Sequence, residues 1–98
     1  MTKGTYEAAI KLAENSKFGY ARQRLLTLVG RSKSIRAKSV LLRLIKDQEV
    51  DGQAIAALGR LGDPSVIPIL RRLKLKKGFY AQKARDTAIN RLEKIRKV

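Results

Sequence analysis

The sequence predicts an all-α protein, a short α-solenoid of about six helices arranged in antiparallel pairs. Three observations support this fold class. Apolar residues recur at helical spacing along most of the chain, no segment alternates apolar and polar residues over a useful length, and a turn pattern recurs after about 32 residues. With 98 residues, the chain is expected to form one domain, residues 1–98, with a modest core.

The first two helices are predicted from their apolar faces and flanking residues. Thr5 is a candidate N-cap for a first helix that ends near Asn15. A second helix is predicted over residues 17–29, with Phe18 on its apolar face. Gly30 is then predicted to end this helix in a left-handed backbone conformation, because glycine adopts a positive φ without steric cost.

The third helix is predicted over residues 33–47 and differs from the first two in being apolar on two sides. Ile35 and Leu42 lie opposite its main apolar face. A helix with two apolar sides is expected to be buried between neighbouring helices.

A sharp turn separates the fourth and fifth predicted helices. The fourth covers residues 54–61, and Gly62 predicts its end. Asp63 is then a candidate N-cap, and Pro64 occupies the first helical position, where proline costs no hydrogen bond. The fifth helix carries its apolar face over residues 66–73.

The sixth and longest helix is predicted over residues 79–97. An internal repeat relates the preceding helices, because residues 30–35 match residues 62–67 at a spacing of 32 residues. A helical hairpin that recurs at this spacing is typical of a solenoid, whose units bury their apolar faces on one another.

Residues 56–70 resemble a known repeat. They contain Ala-Leu-Gly, then Gly-Asp-Pro at the predicted turn, and then Pro-x-Leu. This pattern is similar to the HEAT repeat of the phycobilisome-lyase type. The resemblance extends over about two thirds of the chain, although residues 30–35 lack the Asp and Pro of the turn. It implies a scaffold that binds proteins or nucleic acids along a curved face, with its function in sites added to the fold.

The composition excludes several chemistries. The chain has no Cys and no His, so it has no disulfide, thiolate nucleophile, zinc–thiolate site or imidazole base. We therefore expect no catalysis, no cofactor, no metal site and no small-molecule substrate. No stretch is apolar over the roughly 18 residues that a membrane span needs, and residues 1–6 lack an apolar signal core. We expect a cytoplasmic protein without membrane contacts.

Basic residues dominate the charge and are concentrated in two blocks. Lys and Arg total 23 against 8 Asp and Glu, a formal net charge of +15. Residues 15–46 contain nine bases and no acid, and residues 64–98 contain eleven bases and two acids. A short acidic stretch, residues 47–63, separates the two blocks. A surplus of this kind favours a polyanionic partner.

On the predicted helices the bases form stripes opposite the apolar faces. Arg24 and Arg31 lie on one face of the second helix, Arg36 and Arg43 lie on the third, and Lys83 begins a stripe on the sixth. Each stripe by itself is also typical of a solvated helix face. A solvated face usually mixes charge signs, however, whereas these stripes lack acids.

Cations at predicted helix starts are a second indication of an anionic partner. Lys33 and Arg36 lie in the first turn of the third helix, and Lys76 and Lys77 precede the sixth. The helix dipole disfavours positive charge at these places. A phosphate between the cations and the free backbone amides would account for them. For Lys33, a flexible side chain that extends into solvent is an alternative.

The stretch of residues 71–80 combines five bases in seven residues with a glycine and two aromatic residues. Its Lys and Arg side chains could bind phosphates while Tyr80 stacks on a base. Alternatively, Phe79 and Tyr80 could both pack on the preceding helix.

These observations favour a non-catalytic RNA-binding protein, a ribosomal protein or ribosome-associated factor that contacts rRNA phosphates beside neighbouring ribosomal proteins. Two alternatives stay open: a HEAT-like protein-interaction scaffold that docks an acidic partner, and a DNA-binding protein. The candidate nucleic-acid-binding residues are Arg24, Arg31, Lys33, Arg36, Arg43, Arg71, Arg72, Lys74, Lys76, Lys77, Tyr80 and Lys83.

Overall fold

A computed structural model describes residues 3–32, 35–75 and 79–96 of the chain. Within these residues the chain forms six α-helices and no strand, which confirms the all-α prediction. The helices are α1 (Lys3–Glu14), α2 (Gln23–Ser32), α3 (Ile35–Leu44), α4 (Asp51–Leu61), α5 (Ile67–Arg71) and α6 (Phe79–Arg96). Two 3-10 helices, Ser16–Arg22 and Pro64–Val66, precede α2 and α5.

The six helices form two layers, as a short solenoid requires. α4 packs against both α2 and α6, so these three helices form a first layer. The second layer consists of α1, α3 and α5, each of which packs on the next helix of the first layer: α1 on α2, α3 on α4 and α5 on α6. The pairs α1–α2, α3–α4 and α5–α6 are therefore three successive helical hairpins, and their stacking confirms the predicted solenoid.

Glycines allow neighbouring helices of the first layer to approach closely. A Cβ built on Gly30 would lie 3.0 Å from the Cα of Ala57, and one built on Gly59 would lie 3.0 Å from the Cβ of Ala88. Gly30 and Gly59 thus have the same role in successive hairpins, at a spacing of 29 residues (59 − 30) rather than the predicted 32. Gly30 is buried inside α2, which continues to Ser32, so the prediction that Gly30 ends the helix is wrong.

The predicted second helix is interrupted. Residues 16–22 form a 3-10 helix, and α2 starts only at Gln23. Within the 3-10 helix Gly19 has φ 52° and ψ −133°, a conformation that glycine adopts easily and that a regular helix does not contain. Phe18 precedes this kink and is 46% exposed, so its assignment to the apolar core face is wrong.

α3 is buried on one side only. Val40 and Leu41 belong to the core, whereas Ile35 is 89% exposed and Leu42 is half-buried. The prediction that this helix is buried on two sides is wrong, because α3 lies in the second layer and has the first layer on one side of it.

The turn between α4 and α5 has the predicted structure. Gly62 has φ 81°, and its N–H donates to a carbonyl in the last turn of α4. The Oδ1 of Asp63 then accepts a 3.0 Å hydrogen bond from the backbone N–H of Ser65, with Pro64 at the first helical position. Hydrogen bonds from Lys38 and Ser65 lower the pKa of Asp63 to about 2.

The core lies between the two layers and receives aliphatic side chains from all six helices. Its large, fully buried members include Ile10, Leu26, Leu41, Ile55, Leu58, Ile67, Leu70 and Leu92. The six helices therefore share one core. In the part of the chain that the structure describes, no helix is long and apolar enough to cross a membrane.

Candidate binding face

The helices of the first layer present one continuous outward surface. Gly52 and Gly59 of α4 lie beside Ala81 and Ala88 of α6, so these two helices run in the same direction. α2 packs on the other side of α4. Side chains that point away from the second layer on these three helices therefore form a common surface.

Two adjacent cavities mark this surface. A groove of about 360 Å³ lies between α4 and α6, and a smaller cleft of about 70 Å³ lies beside it. Thr27 of α2, Arg60 of α4 and Tyr80 of α6 line the cleft, so all three helices meet there. Because Arg60 and Tyr80 also line the groove, the two cavities belong to the same surface.

Exposed basic side chains surround these cavities. Three of them line the groove. The other two lie on α2, three residues before and four residues after Thr27, and therefore on the same face of that helix. We define the cationic face by these five exposed bases: Arg24, Arg31, Arg60, Lys83 and Arg91.

The positive charge of the cationic face is not compensated within the described residues. No acidic residue lines the groove or the cleft, and none of the five bases forms an ion pair there. Seven of the eight acids do form ion pairs, all with bases elsewhere: Arg22, Arg36, Lys38, Arg43, Arg71, Arg85 and Arg96. The eighth, Asp51, accepts a hydrogen bond from the backbone N–H of Gly52.

The groove has an apolar floor of small residues. Ala56 and Gly59 of α4 face Ala84 and Ala88 of α6 across it. The close contact between Gly59 and Ala88 forms its base. Tyr80 lies at the wall of the groove and is 55% exposed. The site thus combines a cationic rim with an apolar interior.

Tyr80 is positioned by α4. A Cβ built on Gly52 would lie 2.5 Å from the Cδ2 of Tyr80, so the ring lies directly against the first turn of α4. More than half of the side chain is nevertheless exposed. One edge of the ring therefore packs on α4 while the rest of the side chain faces solvent, and the stacking of Tyr80 on a base stays a prediction.

The structure brings four of the predicted site residues together. Arg24 and Arg31 share a face of α2 with Thr27, which lines the cleft, and Lys83 of α6 lines the groove. Tyr80 lines both cavities. The stripes predicted separately on the second and sixth helices are therefore parts of one surface.

The stripe predicted on the third helix lies in the other layer and is neutralised. Arg36 donates a 2.7 Å hydrogen bond to Glu7 and lies 3.7 Å from Glu14, and Arg43 pairs with Glu14. Both acids belong to α1. The bases therefore have acidic partners in space, although no acid lies near them in the sequence. The structure separates Arg36 and Arg43 from the cationic face.

The predicted basic loop is not a single unit. Arg71 forms an ion pair of 3.0 Å with Glu93. Arg72 and Lys74 are exposed and line a separate cleft of about 300 Å³, together with Asp51. The structure therefore does not bring these three bases into the groove beside the tyrosine. The remaining predicted residues, Lys33, Lys76 and Lys77, lie outside the described residues.

Arg60 and Arg91 were not predicted from the sequence, yet they continue a row that Arg31 begins. Arg31 follows Gly30, and Arg60 follows Gly59, the glycine with the same role in the next hairpin. Gly30 contacts Ala57, and Arg60 follows Ala57 by three residues. In the same way Gly59 contacts Ala88, and Arg91 follows Ala88 by three residues. The three arginines therefore occupy corresponding positions on α2, α4 and α6. The recurrence of Gly-Arg after 29 residues was the available signal.

Comparison with known proteins agrees with this architecture. A family model described as HEAT repeats matches residues 6–85, most of the chain. A search of the curated proteins finds no significant match, and a search of the solved structures finds none either. The matched segment includes most of α1, all of α2 to α5 and the first part of α6. The chain belongs to the HEAT-repeat family.

Proposed function

We propose that this chain is a non-catalytic scaffold whose cationic face docks an acidic segment of a partner protein. The observation that carries the proposal is the row of Arg31, Arg60 and Arg91, one on each helix of the first layer, on a surface whose cavities no acid lines. A guanidinium group binds a carboxylate through two parallel hydrogen bonds. An acidic segment that crosses the three helices would contact the three arginines in turn.

The unpaired charge is easier to explain by binding than by folding. Like charges on one surface repel and lower the stability of the folded chain. Elsewhere in the molecule seven acids form ion pairs with bases, whereas the cationic face has no such pairs within the described residues. Carboxylates of a bound partner would remove this repulsion.

The apolar floor of the groove favours a protein partner over a nucleic acid. A sugar–phosphate backbone would use the bases of the rim but would leave the floor of Ala56, Gly59, Ala84 and Ala88 uncovered. Protein interfaces typically combine an apolar centre with a polar rim. Membership of the HEAT-repeat family supports the role of an interaction scaffold, and the apolar floor is what favours a protein as the partner.

RNA binding, including a role at the ribosome, is the second candidate. Tyr80 favours it, because an exposed aromatic side chain next to Arg60 and Lys83 could stack on an unpaired base. The net charge of +15 also suits a phosphate backbone.

The test compares a labelled Glu/Asp-rich peptide with a labelled single-stranded RNA by fluorescence anisotropy. The variant Arg31→Gln/Arg60→Gln/Arg91→Gln removes the arginine row. Its matched control is Lys11→Gln/Lys17→Gln/Lys46→Gln, which removes three exposed bases outside the cationic face and gives the same net charge. We expect the arginine variant to lose at least about tenfold in peptide affinity and the control to change it by less than about threefold.

Equal losses in the two triple variants would contradict the proposal, because net charge alone would then set the affinity. RNA binding that depends on the arginine row, with no peptide binding, would establish the second candidate. In that case the logarithm of the affinity should fall with the logarithm of salt concentration by about 0.7 per phosphate contact.

A further inference from the structure

The groove between α4 and α6 is an open space above a floor of small residues. Ala56, Gly59, Ala84 and Ala88 form its floor, and none of them extends beyond a methyl group. Its volume of about 360 Å³ is near the lower end of the roughly 300–1,000 Å³ that is usual for ligand pockets. A space of this size suits one large side chain rather than a whole folded element.

The wall of the groove offers an aromatic contact. The ring of Tyr80 is held against Gly52 on one edge, and 55% of the side chain is exposed. Aromatic rings pair in offset-stacked or edge-to-face arrangements, which contribute beyond the burial of apolar area. A ring already held in place by a helix loses little freedom when a second ring packs on it.

Cations surround the same space. Arg60, Lys83 and Arg91 line the groove together with Tyr80. Guanidinium and ammonium groups are attracted to the face of an aromatic ring, and the attraction strengthens when water is excluded. The same groups pair with carboxylates. An aliphatic side chain would gain the contact with the apolar floor but neither of the two aromatic contributions.

We propose that the groove binds one aromatic side chain, Trp or Phe, flanked by acidic residues in the docked segment. The inference rests on the proposed function, because it requires an acidic protein partner. It adds a source of selectivity: charge complementarity attracts acidic segments in general, whereas the groove distinguishes those with an aromatic residue among the carboxylates.

The test uses three Glu/Asp-rich peptides that are identical except for a central Trp, Leu or Ala. Ala56→Leu places a larger side chain in the groove without changing any charge. Because Ala56 is half-buried at the floor of the groove, the leucine can extend into the groove rather than into the core. Ala8→Leu makes the same substitution at an exposed position of α1 and is the matched control. Tyr80→Ser removes the ring at an exposed position and is a second variant that does not alter the core. Thermal melts establish that each variant is folded.

We expect the wild-type protein to bind the Trp peptide at least about tenfold more tightly than the Ala peptide, and more tightly than the Leu peptide. Ala56→Leu should reduce the affinity for the Trp peptide to that for the Ala peptide while leaving the latter unchanged. Tyr80→Ser should remove the preference for Trp over Leu. Ala8→Leu should behave as the wild type.

Equal affinities of the wild type for the Trp and Ala peptides would overturn the groove proposal while leaving the docking function in place. A preference for Trp that Ala56→Leu does not reduce would also overturn it. If none of the three peptides binds, both proposals fail. RNA binding that Ala56→Leu abolishes would assign the groove to a nucleobase instead.

Discussion

The guanidinium group of Arg22 donates a 2.8 Å hydrogen bond from Nη2 to Oδ2 of Asp47, although the arginine side chain is only 1% exposed. Nη2 also donates to Glu49, Nε donates to the carbonyl of Gly19, and Nη1 donates to the carbonyl of Ala13. A buried charge is tolerated only with such partners. One side chain thus joins α1, the first 3-10 helix and the connection between α3 and α4.

Replacement of Arg22 should therefore destabilise the fold. We expect Arg22→Ala to lower the free energy of unfolding by about 3 kcal/mol, since it removes a buried charge that donates four hydrogen bonds and pairs with two carboxylates. Arg24→Ala, at an exposed position nearby without an ion pair among the described residues, should change it by about 0.5 kcal/mol or less. Urea unfolding followed by circular dichroism measures both, and equal effects would show that the Arg22 network does not stabilise the chain.

The contact between Gly59 and Ala88 should not tolerate a larger residue. A Cβ on Gly59 would already lie 3.0 Å from Ala88, so Gly59→Leu must separate α4 from α6. We expect a loss of about 1–3 kcal/mol in the free energy of unfolding, the usual cost of overpacking. Ala8→Leu, at an exposed position, controls for the added side chain. A melting temperature unchanged in Gly59→Leu would mean that the two helices are not packed this closely.

The cap at Asp63 should contribute stability that depends on pH. Lys38 and Ser65 lower its pKa in the folded chain to about 2, below the value of about 3.9 for an unfolded chain. The contribution of the ionised carboxylate is therefore complete above about pH 4 and is lost as the pH falls towards 2. We expect Asp63→Ala to lower the free energy of unfolding by about 1 kcal/mol at pH 6.

The difference between the wild type and Asp63→Ala should become smaller between pH 4 and pH 2, where the wild-type carboxylate takes up a proton. Denaturant titrations at a series of pH values measure it. A difference that stays constant over this range would exclude the charge of Asp63 as its source.

The bases of α3 should affect stability rather than binding. Arg36 and Arg43 pair with Glu7 and Glu14 of α1 at the protein surface. We expect Arg36→Gln/Arg43→Gln to lower the free energy of unfolding by about 0.5–1 kcal/mol and to change the affinity for the acidic peptide by less than about threefold. Anisotropy titrations and urea unfolding of the same samples test both parts. A large loss of peptide affinity would extend the binding surface to the second layer.

Features that depend on neighbouring residues in the chain were predictable. The turn at Gly62, Asp63 and Pro64 was predicted correctly because its backbone conformation and its cap involve residues within a few positions of one another. The same holds for α6, whose long helical pattern contains no glycine or proline. These local signals were also sufficient for the resemblance to HEAT repeats, which the family comparison confirmed.

The structural role of individual glycines was not predictable from the sequence in the same way. Gly19 interrupts a helical pattern that continues on both sides, so periodicity alone does not reveal the kink. Gly30 was predicted to end a helix, whereas it lies inside α2 against Ala57. Glycine suits both helix ends and close helix contacts. Which of the two roles a glycine has depends on whether the backbone of another helix packs against it.

The sequence by itself determined the helix content, the order of the helices, the stacked hairpins and the surplus of positive charge, because spacing and turn chemistry act over a few residues. Only the tertiary structure decided which bases are available for a partner. Arg36 and Glu7 are 29 residues apart in the chain, and Arg71 and Glu93 are 22 residues apart. The groove likewise forms only when α4 and α6 lie side by side, because its floor comes from both helices and its space depends on the distance between them.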